Sequence, residues 1–363
     1  MAKRVSVDRW IFVVTVLLVS IGLMMVFSAS AVMSREKFGS AYTFLVRQAV
    51  WAVAGLVAFA VLMNTDYRKL KSPPIVFSLL GVTLFLLVAV FFLDRSHNVH
   101  RWIRLGAASF QPSELAKPSL ILFLSYFMAE RGSDLSDWKR TLLPAAIPTL
   151  LFTALIMKQP DLGTALMCLA VSGAIFFTAG MQMRYLGYAF AAMVPVLYVM
   201  LWRVPWRRAR LMAFMDPFAD PQGSGFHTIQ SLIAVSTGGV TGAGLMEGKQ
   251  KLFYLPEPQT DFIFAVTAEE LGLIGSLVVV ILFGTFCVRG FRAAMRAKDP
   301  FARYLAVGIT TMIGVQALFN ISVVLALLPT KGIPLPFISY GGSSLLIMLA
   351  SVGVLLNITK QVE

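Results

Sequence analysis

An acidic residue stands where a long polar loop meets a new apolar helix. Residues 254–265, YLPEPQTDFIFA, put Thr260 and Asp261 immediately before that predicted helix. An ionised Asp at the centre of a membrane helix costs roughly 2.5–3.5 kcal/mol on insertion scales, so its position at the edge calls for an explanation. Asp261 could act as a general base in catalysis. It could instead cap the free backbone N–H groups of the helix that begins near Phe262.

Other charged residues enter the predicted membrane region from the same side. In HRWIRLGAASFQPSELAKPSL, Glu114 and Lys117 lie three residues apart on one helix face. In KQPDLGTAL, Lys158 and Asp161 flank the start of a helix. A buried Glu114–Lys117 pair and helix capping by Asp161 are the structural alternatives. Because charges inside a membrane usually mark a function, their shared side favours a polar substrate cavity.

The segment LPTKGIPLPFISYGGSSLL adds a possible anion site. It puts Lys331 in a loop and two glycines followed by Ser343 at a helix N-terminus. Free N–H groups at such a terminus suit a phosphate, whereas the glycine pair could equally serve close helix contact. A Walker A loop is absent, so no nucleotide is needed to drive the protein.

The composition predicts that these residues belong to a membrane protein. Of the 363 residues, 58% are hydrophobic and only 13% are charged, which excludes a single soluble core. We therefore expect an all-α integral membrane protein. Stretches long enough to span a bilayer predict a bundle of ten helices, near residues 11–33, 44–63, 74–93, 114–130, 142–157, 162–180, 185–203, 262–288, 303–327 and 341–358.

Basic residues set the expected orientation. Lys and Arg concentrate in the short loops on the side of the N-terminus, which predicts cytoplasmic termini and accounts for part of the net charge of +13. Residues 204–261 then form one long extracytoplasmic loop. Within it, VPWRRARLMAF predicts a helix along the bilayer surface, and STGGVTGAG predicts a flexible stretch. Composition is uniform over residues 1–363, which indicates a single domain, and nothing calls for nucleic acid.

Five long segments together resemble the SEDS family (shape, elongation, division and sporulation), whose members are peptidoglycan polymerases with ten transmembrane helices. The resemblance covers nearly the whole chain and is nearer to the division branch than to the elongation branch. The chain has Gln259 where the family usually has His, so a role for that His does not carry over, whereas Asp261 is retained. The segments are RWIRLGAASFQPSELAK, KQPDLGTAL, PWRRARLMAFMDPFADPQGSGFHTIQSLIA, YLPEPQTDFIFAVTAEELG and LPTKGIPLPFISYGGSS.

The resemblance implies lipid II as substrate, with Asp261 as the general base that activates the 4-hydroxyl of the acceptor GlcNAc. Cationic side chains would then stabilise the departing undecaprenyl pyrophosphate. A divalent cation, Mg²⁺ or Mn²⁺, could assist, with Asp261, Asp161 and Glu114 as its candidate ligands. The expected substrate-binding residues are Arg101, Trp102, Glu114, Lys117, Lys158, Asp161, Thr260, Lys331 and Ser343. Trp102 by itself is also typical of an aromatic belt at the membrane surface.

The resemblance also implies a setting and partners. We expect a multi-pass protein of the bacterial cytoplasmic membrane, with its site facing outward and a class B penicillin-binding protein as partner transpeptidase, among other division or elongation proteins. Two alternatives stay open: a lipid II flippase, and a non-catalytic scaffold that recruits the transpeptidase. A flippase often shows two related halves, and the sequence shows no such symmetry.

Overall fold

The computed structural model describes residues 7–94, 100–105, 108–131, 138–252 and 254–362. These residues form twelve α-helices and one antiparallel hairpin of two short strands. The hairpin corrects the all-α prediction. The elements are α1 Arg9–Phe38, α2 Thr43–Asn64, α3 Pro73–Leu93, β1 Ile103–Leu105, β2 Ala108–Phe110, α4 Pro112–Arg131, α5 Leu143–Lys158, α6 Leu162–Thr178, α7 Met183–Trp202, α8 Pro205–Met215, α9 Phe226–Gly238, α10 Ile263–Arg296, α11 Pro300–Val324 and α12 Gly342–Val362, with short 3₁₀ helices at Tyr67–Lys71 and Pro217–Ala219 and a π-helical turn at Trp138–Leu142.

Each of the ten predicted apolar stretches falls on a helix. In the described part of the chain, eight helices are long and apolar enough to cross a membrane, so the protein is a multi-pass membrane protein. The other two are α4, which carries Glu114 and Lys117, and α6, which has only 17 residues. The count of ten spans therefore stays a prediction.

The two chain ends lie at the same end of the bundle. The backbone N–H of Asp8 donates to Thr359 Oγ1 at 3.2 Å. Arg289 Nη2 lies 2.6 Å from Asp8 Oδ2, and the N–H of Tyr67 donates to Asn357 Oδ1 at 2.9 Å. These contacts tie α1, α10, α12 and the segment after α2 together, as expected when the chain crosses the bilayer an even number of times.

The segment between α7 and α10 is folded. It contains α8, so the predicted helix is present, while its place along the bilayer surface stays a prediction. Within α8, the guanidinium of Arg210 lies 5.2 Å from the ring centroid of Trp206. It also contains α9, which the sequence analysis did not anticipate. The stretch expected to be flexible, residues 236–244, instead ends α9 and forms a tight turn. Its Ala243 and Gly244 N–H groups donate to the carbonyls of Glu269 and Glu270 at 2.9 and 3.1 Å.

That turn forms hydrogen bonds with α10 at a kink in the helix. Gly272 has φ 66° and ψ −163°, a conformation essentially restricted to glycine. The two following N–H groups, of Leu273 and Ile274, donate to the carbonyls of Gly239 and Val240 at 2.9 and 3.2 Å. The loop thus supplies the acceptors that the kinked helix lacks, as backbone at membrane depth requires.

We predict that Gly272→Ala destabilises the protein by about 1–3 kcal/mol, the usual cost of holding a residue in such a conformation. An added Cβ would also lie 2.3 Å from Gly242 N. Thermal unfolding in detergent measures the effect. Gly284→Ala is the matched control in the same helix, where nothing lies within 4 Å of the added Cβ. Equal unfolding temperatures for the two variants would contradict the strain at the kink.

Candidate active site

A cavity of about 710 Å³ lies at the end of the bundle opposite the chain termini. Elements from along the whole chain meet there: α2, the hairpin, the N-terminal ends of α4, α6 and α12, the residues before α10, one residue of α11, and the loop before α12. The predicted residues that line it are Arg101, Trp102, Glu114, Lys117, Asp161, Thr260, Asp261 and Ser343. Lys158 is exposed at the end of α5 and does not line the cavity, which corrects its expected position.

Asp261 does not cap α10. The N-cap residue is Phe262, and no side chain bonds to the first turn. Within the described residues no donor lies at hydrogen-bond distance from the Asp261 carboxylate, although its backbone carbonyl accepts from Asn320 Nδ2 at 2.8 Å. A Cβ at residue 332 would lie 2.5 Å from Asp261 Oδ2, so Gly332 makes room for the carboxylate. The capping alternative is wrong, and the carboxylate is left facing the cavity.

The surroundings of Asp261 suit a base. Burial, followed by the negative charge of Glu257, raises the pKa of Asp261 to about 6, while the positive charges of Arg101 and Arg210 oppose the rise. Glu257 is itself held by Gln259, whose Nε2 donates to Glu257 Oε2 at 3.0 Å. A carboxyl with this pKa is ionised at neutral pH and more basic than a free aspartate.

The structure supports both interpretations of Glu114 and Lys117, as a buried ion pair and as residues of a polar cavity. Lys117 Nζ lies 3.0 Å from both Glu114 carboxylate oxygens, and both side chains are buried. Lys117 also donates to Gln316 Oε1 at 2.8 Å, and Gln316 in turn donates to the carbonyl of Pro334 at 2.9 Å. The pair is therefore a buried ion pair that also lines the cavity. Gln316 lies 199 residues from Lys117 in the sequence, so no local pattern predicted its place in the site.

Asp161 both caps a helix and lines the cavity. Its carboxylate accepts from Thr164 N at 3.1 Å and from Thr164 Oγ1 at 2.8 Å, so the capping prediction is confirmed. Gln111 Nε2 approaches the same carboxylate at 3.4 Å. Because Thr164 and Gln111 already bond to it, Asp161 has less freedom than Asp261 to take a proton from a ligand.

Arg101 is fixed by the turn between α5 and α6. Its Nε donates to the carbonyl of Gln159 at 2.9 Å, and its Nη2 donates to the carbonyl of Pro160 at 2.5 Å. The N–H groups of Arg101 and Trp102 donate to Asp94 Oδ2 at 2.9 and 3.1 Å. These bonds hold a guanidinium at the cavity wall without cancelling its charge.

Lys331 lies just behind the wall. Its Nζ is buried with no hydrogen-bond partner among the described residues. Burial lowers the pKa of Lys331 to about 7, against the opposing influence of Asp161. Arg207 and Arg210 of α8 act on the same ammonium, so α8 brings positive charge close to the site. The pattern VPWRRARLMAF predicted a helix along the bilayer surface and not a contribution to the site.

The N-terminus of α12 supports the close-contact role for one of its glycines, while the anion site stays a prediction. A Cβ at Gly342 would lie 2.2 Å from Trp51 Cδ1, so this glycine permits close contact between α12 and α2. Gly341 N donates to Gln48 Oε1 at 3.2 Å, which satisfies one terminal N–H group. Ser343 faces the cavity, and its Oγ accepts from the N–H of Gln111 at 3.4 Å.

Two buried carboxylates of α10 hold the loop that leads to Asp261. Glu270 Oε1 lies 2.6 Å from Lys251 Nζ, and Ser28 Oγ donates to the same carboxylate at 2.7 Å. The N–H of Met246 donates to Glu270 Oε2 at 3.0 Å. Glu269 Oε1 accepts from the N–H of Lys249 at 2.8 Å. Local sequence could not predict these contacts, because the partners of both glutamates lie in the preceding loop and follow no local pattern.

We predict that Lys251→Met destabilises the protein by about 3–5 kcal/mol, because it leaves the Glu270 carboxylate buried without its cation. Thermal unfolding and tryptic cleavage of residues 245–251 measure the loss. Lys249→Met is the matched control, since Lys249 is exposed in the same loop and contributes only its backbone N–H. The double variant Lys251→Met/Glu270→Met should recover part of the loss. Equal effects at the two lysines would contradict the buried pair.

The carboxylates do not gather into a metal site. Among the described residues, no group of three or more His, Cys, Asp or Glu side chains could hold a metal ion. Glu114 is paired with Lys117, and Asp161 is bonded to Thr164. The expected donor set of Asp261, Asp161 and Glu114 therefore does not fit a divalent cation, and no step below passes through one.

Comparisons with known proteins agree on one family over nearly the full length of the chain. A family model described as "Cell cycle protein", which groups FtsW, RodA and SpoVE, matches residues 8–363. The chain is 44% identical to the probable peptidoglycan glycosyltransferase FtsW of Geobacter sulfurreducens over 359 residues, covering 98% of this chain and 96% of the relative. It is 41% identical to the stage V sporulation protein E of Bacillus subtilis over 361 residues, covering 99% and 98%.

Solved structures agree with the fold. A chain of a peptidoglycan synthase complex, solved to explain how polymerisation and crosslinking are coordinated, matches with a TM-score of 0.80 at 29% identity, covering 98% of both chains. The rod shape determining protein RodA of Thermus thermophilus matches with a TM-score of 0.71 at 26% identity, covering 98% of this chain and 97% of RodA.

Fold and site define a multi-pass membrane protein with a charged cavity at one end of its helical bundle. Within that class, the chain belongs to the SEDS family, the group of FtsW, RodA and SpoVE.

Proposed function

We propose that the chain is a peptidoglycan glycosyltransferase that polymerises lipid II. The observation that carries this proposal is the Asp261 carboxylate, which faces the cavity without capping its helix and has a pKa of about 6. The names of the relatives support the same activity. A base of this strength can take a proton from a sugar hydroxyl as its oxygen attacks.

The reaction forms one bond and breaks another. Asp261 accepts the proton of the 4-hydroxyl of the acceptor GlcNAc while that oxygen forms a β-1,4 bond to C1 of the donor MurNAc. The α-linked C1–oxygen bond to pyrophosphate breaks, and its electron pair leaves with the undecaprenyl pyrophosphate. Thr260, next to the base, and Ser343 are placed to position the sugars.

Positive charge receives the leaving group. Arg101 lines the cavity, and Lys117 lies deeper, between Glu114 and Gln316. Lys331, with a pKa of about 7, is only partly protonated at neutral pH, and a pyrophosphate nearby would raise that pKa, because an anion favours the protonated form. Its positive charge then favours the leaving group, whose negative charge grows as the C1–oxygen bond breaks.

The family and the predicted topology support a setting for this reaction. The site faces outward from the bacterial cytoplasmic membrane, with both termini in the cytoplasm. A class B penicillin-binding protein crosslinks the new strand, in line with the synthase complex among the structural neighbours. The relatives named FtsW favour a division role over an elongation role. Other division proteins are expected partners.

The flippase and scaffold alternatives explain less of the site. A flippase would use the charges of the cavity but has no need of a carboxylate with a raised pKa. A scaffold accounts for the buried Glu114–Lys117 pair and leaves Asp261 without a purpose. The glycosyltransferase uses all three residues.

We predict that Asp261→Asn lowers polymerisation by about 10²–10⁴-fold, the usual contribution of a general base. The purified protein, alone and with its penicillin-binding protein blocked at the transpeptidase site, is incubated with lipid II, and glycan polymer is resolved on a gel. Glu247→Gln, an exposed carboxylate in the same loop, is the matched control and should retain wild-type activity.

Either of two results would overturn this assignment. Polymerisation at the wild-type level by Asp261→Asn would contradict the role of Asp261 as general base. Absence of polymer from a folded wild-type complex would favour the flippase or the scaffold, and lipid II translocation in liposomes then separates those two.

The pKa values of Asp261 and Lys331 predict a bell-shaped pH profile. As pH rises through about 6, Asp261 loses its proton and becomes a base, so kcat/KM increases. As pH rises through about 7, Lys331 loses its charge in the free enzyme, so kcat/KM falls. The upper limb of kcat should lie at higher pH, because bound pyrophosphate keeps the ammonium protonated.

Lys331→Arg provides the control, since an arginine stays charged throughout this range. The variant should lose the alkaline limb and keep the acid limb. An unchanged alkaline limb in Lys331→Arg would show that another group titrates there.

A further inference from the structure

One wall of the cavity is apolar and is formed by exposed residues of α2. Val46, Val50 and Ala54 of α2 all line the cavity, four residues apart on one face of the helix. Val46 is 56% exposed and Val50 is 63% exposed. From Val46 to Ala54 the stripe extends about 12 Å along the helix. In a membrane-spanning helix, an exposed valine stripe contacts lipid.

The packing of α2 keeps this wall open. The opposite face of the helix, with Gln48, Ala52, Gly55 and Phe59, is buried. A Cβ at Gly353 of α12 would lie 2.6 Å from the carbonyl of Phe59, so α2 and α12 are in close contact. Because the opposite face is held against α12, the stripe of Val46, Val50 and Ala54 stays exposed beside the cavity.

This wall is continuous with the charged part of the same cavity. Asp261, Glu114 and Lys117 line one part, while Val46 and Val50 line another. A ligand that fills the whole space needs an anionic, hydroxyl-rich head and an apolar tail. Arg47 also lines the cavity at this side, where a cation can meet a phosphate at the membrane surface.

We propose that the α2 stripe of Val46, Val50 and Ala54 is the opening through which the polyprenyl chain of the lipid-linked substrate lies. This inference rests on the proposed function. The chain stays in the bilayer, which is as apolar as the valines, while the head group enters the cavity. The tail never crosses water, so binding needs no exposure of apolar surface.

Val50→Trp tests the opening, with Val53→Trp as matched control. Both valines are 63% exposed on α2, and only Val50 lines the cavity. For a substrate with a full-length polyprenyl chain, Val50→Trp should raise KM by about tenfold with kcat unchanged, because a distant part of the substrate loses uniform binding. For a short-chain analogue it should have little effect. Equal loss with both substrates, or equal effects of both variants, would overturn the proposal.

A binding measurement separates this proposal from the proposed function. A photoreactive amino acid replaces Val50 or Val53 in liposomes that contain a radiolabelled undecaprenyl pyrophosphate-linked saccharide. Labelling at residue 50 alone, competed by unlabelled undecaprenyl phosphate, supports the opening whether or not polymer forms. Equal labelling at both positions would show general lipid contact. Crosslinking at residue 50 to a protein would instead identify a partner helix, and both of these outcomes overturn the proposal.

Discussion

An irregular stretch of chain can lie at the depth of a bilayer only where its backbone N–H groups find acceptors. In this protein the Glu269 and Glu270 carboxylates accept from the loop of residues 245–251, and their backbone carbonyls accept from the turn before it. The kink at Gly272 opens α10 to receive that turn. The position of Asp261 depends on this arrangement, because the anchored loop leads to Thr260 and Asp261.

The two aspartates that precede helices show how similar sequence contexts acquire different chemistry. Asp161 turns its carboxylate back onto Thr164, so the first turn of α6 satisfies it. The position one residue before α10 belongs to Phe262, and Asp261 is displaced outward beside Gly332. Burial and the negative charge of Glu257 raise the pKa of Asp261. A one-residue difference in the start of a helix therefore separates a capping carboxylate from one that faces the cavity with a raised pKa.

Local patterns predicted much of this architecture. Apolar length located ten helices, and spacing along one helix predicted the Glu114–Lys117 pair. Contacts between distant segments could not be predicted in this way. Gln316 and Trp51 join the site from helices far away in sequence, and nothing in their local sequence indicates it. The hairpin was missed because its strands have three residues each, and Lys158 was misplaced because a residue at a helix end can point away from its neighbours.

The positively charged side chains at the cavity differ in how completely each is paired. Lys117 is held by a carboxylate and an amide oxygen, and the Arg101 side chain by two backbone carbonyls. Within the described residues the Lys331 ammonium has no such partner, and burial lowers its pKa to about 7. The Arg101 guanidinium keeps its charge at neutral pH, because neutral carbonyls position it without neutralising it. The protonation of Lys331 is instead open to change, because an anion brought close to it favours the charged form.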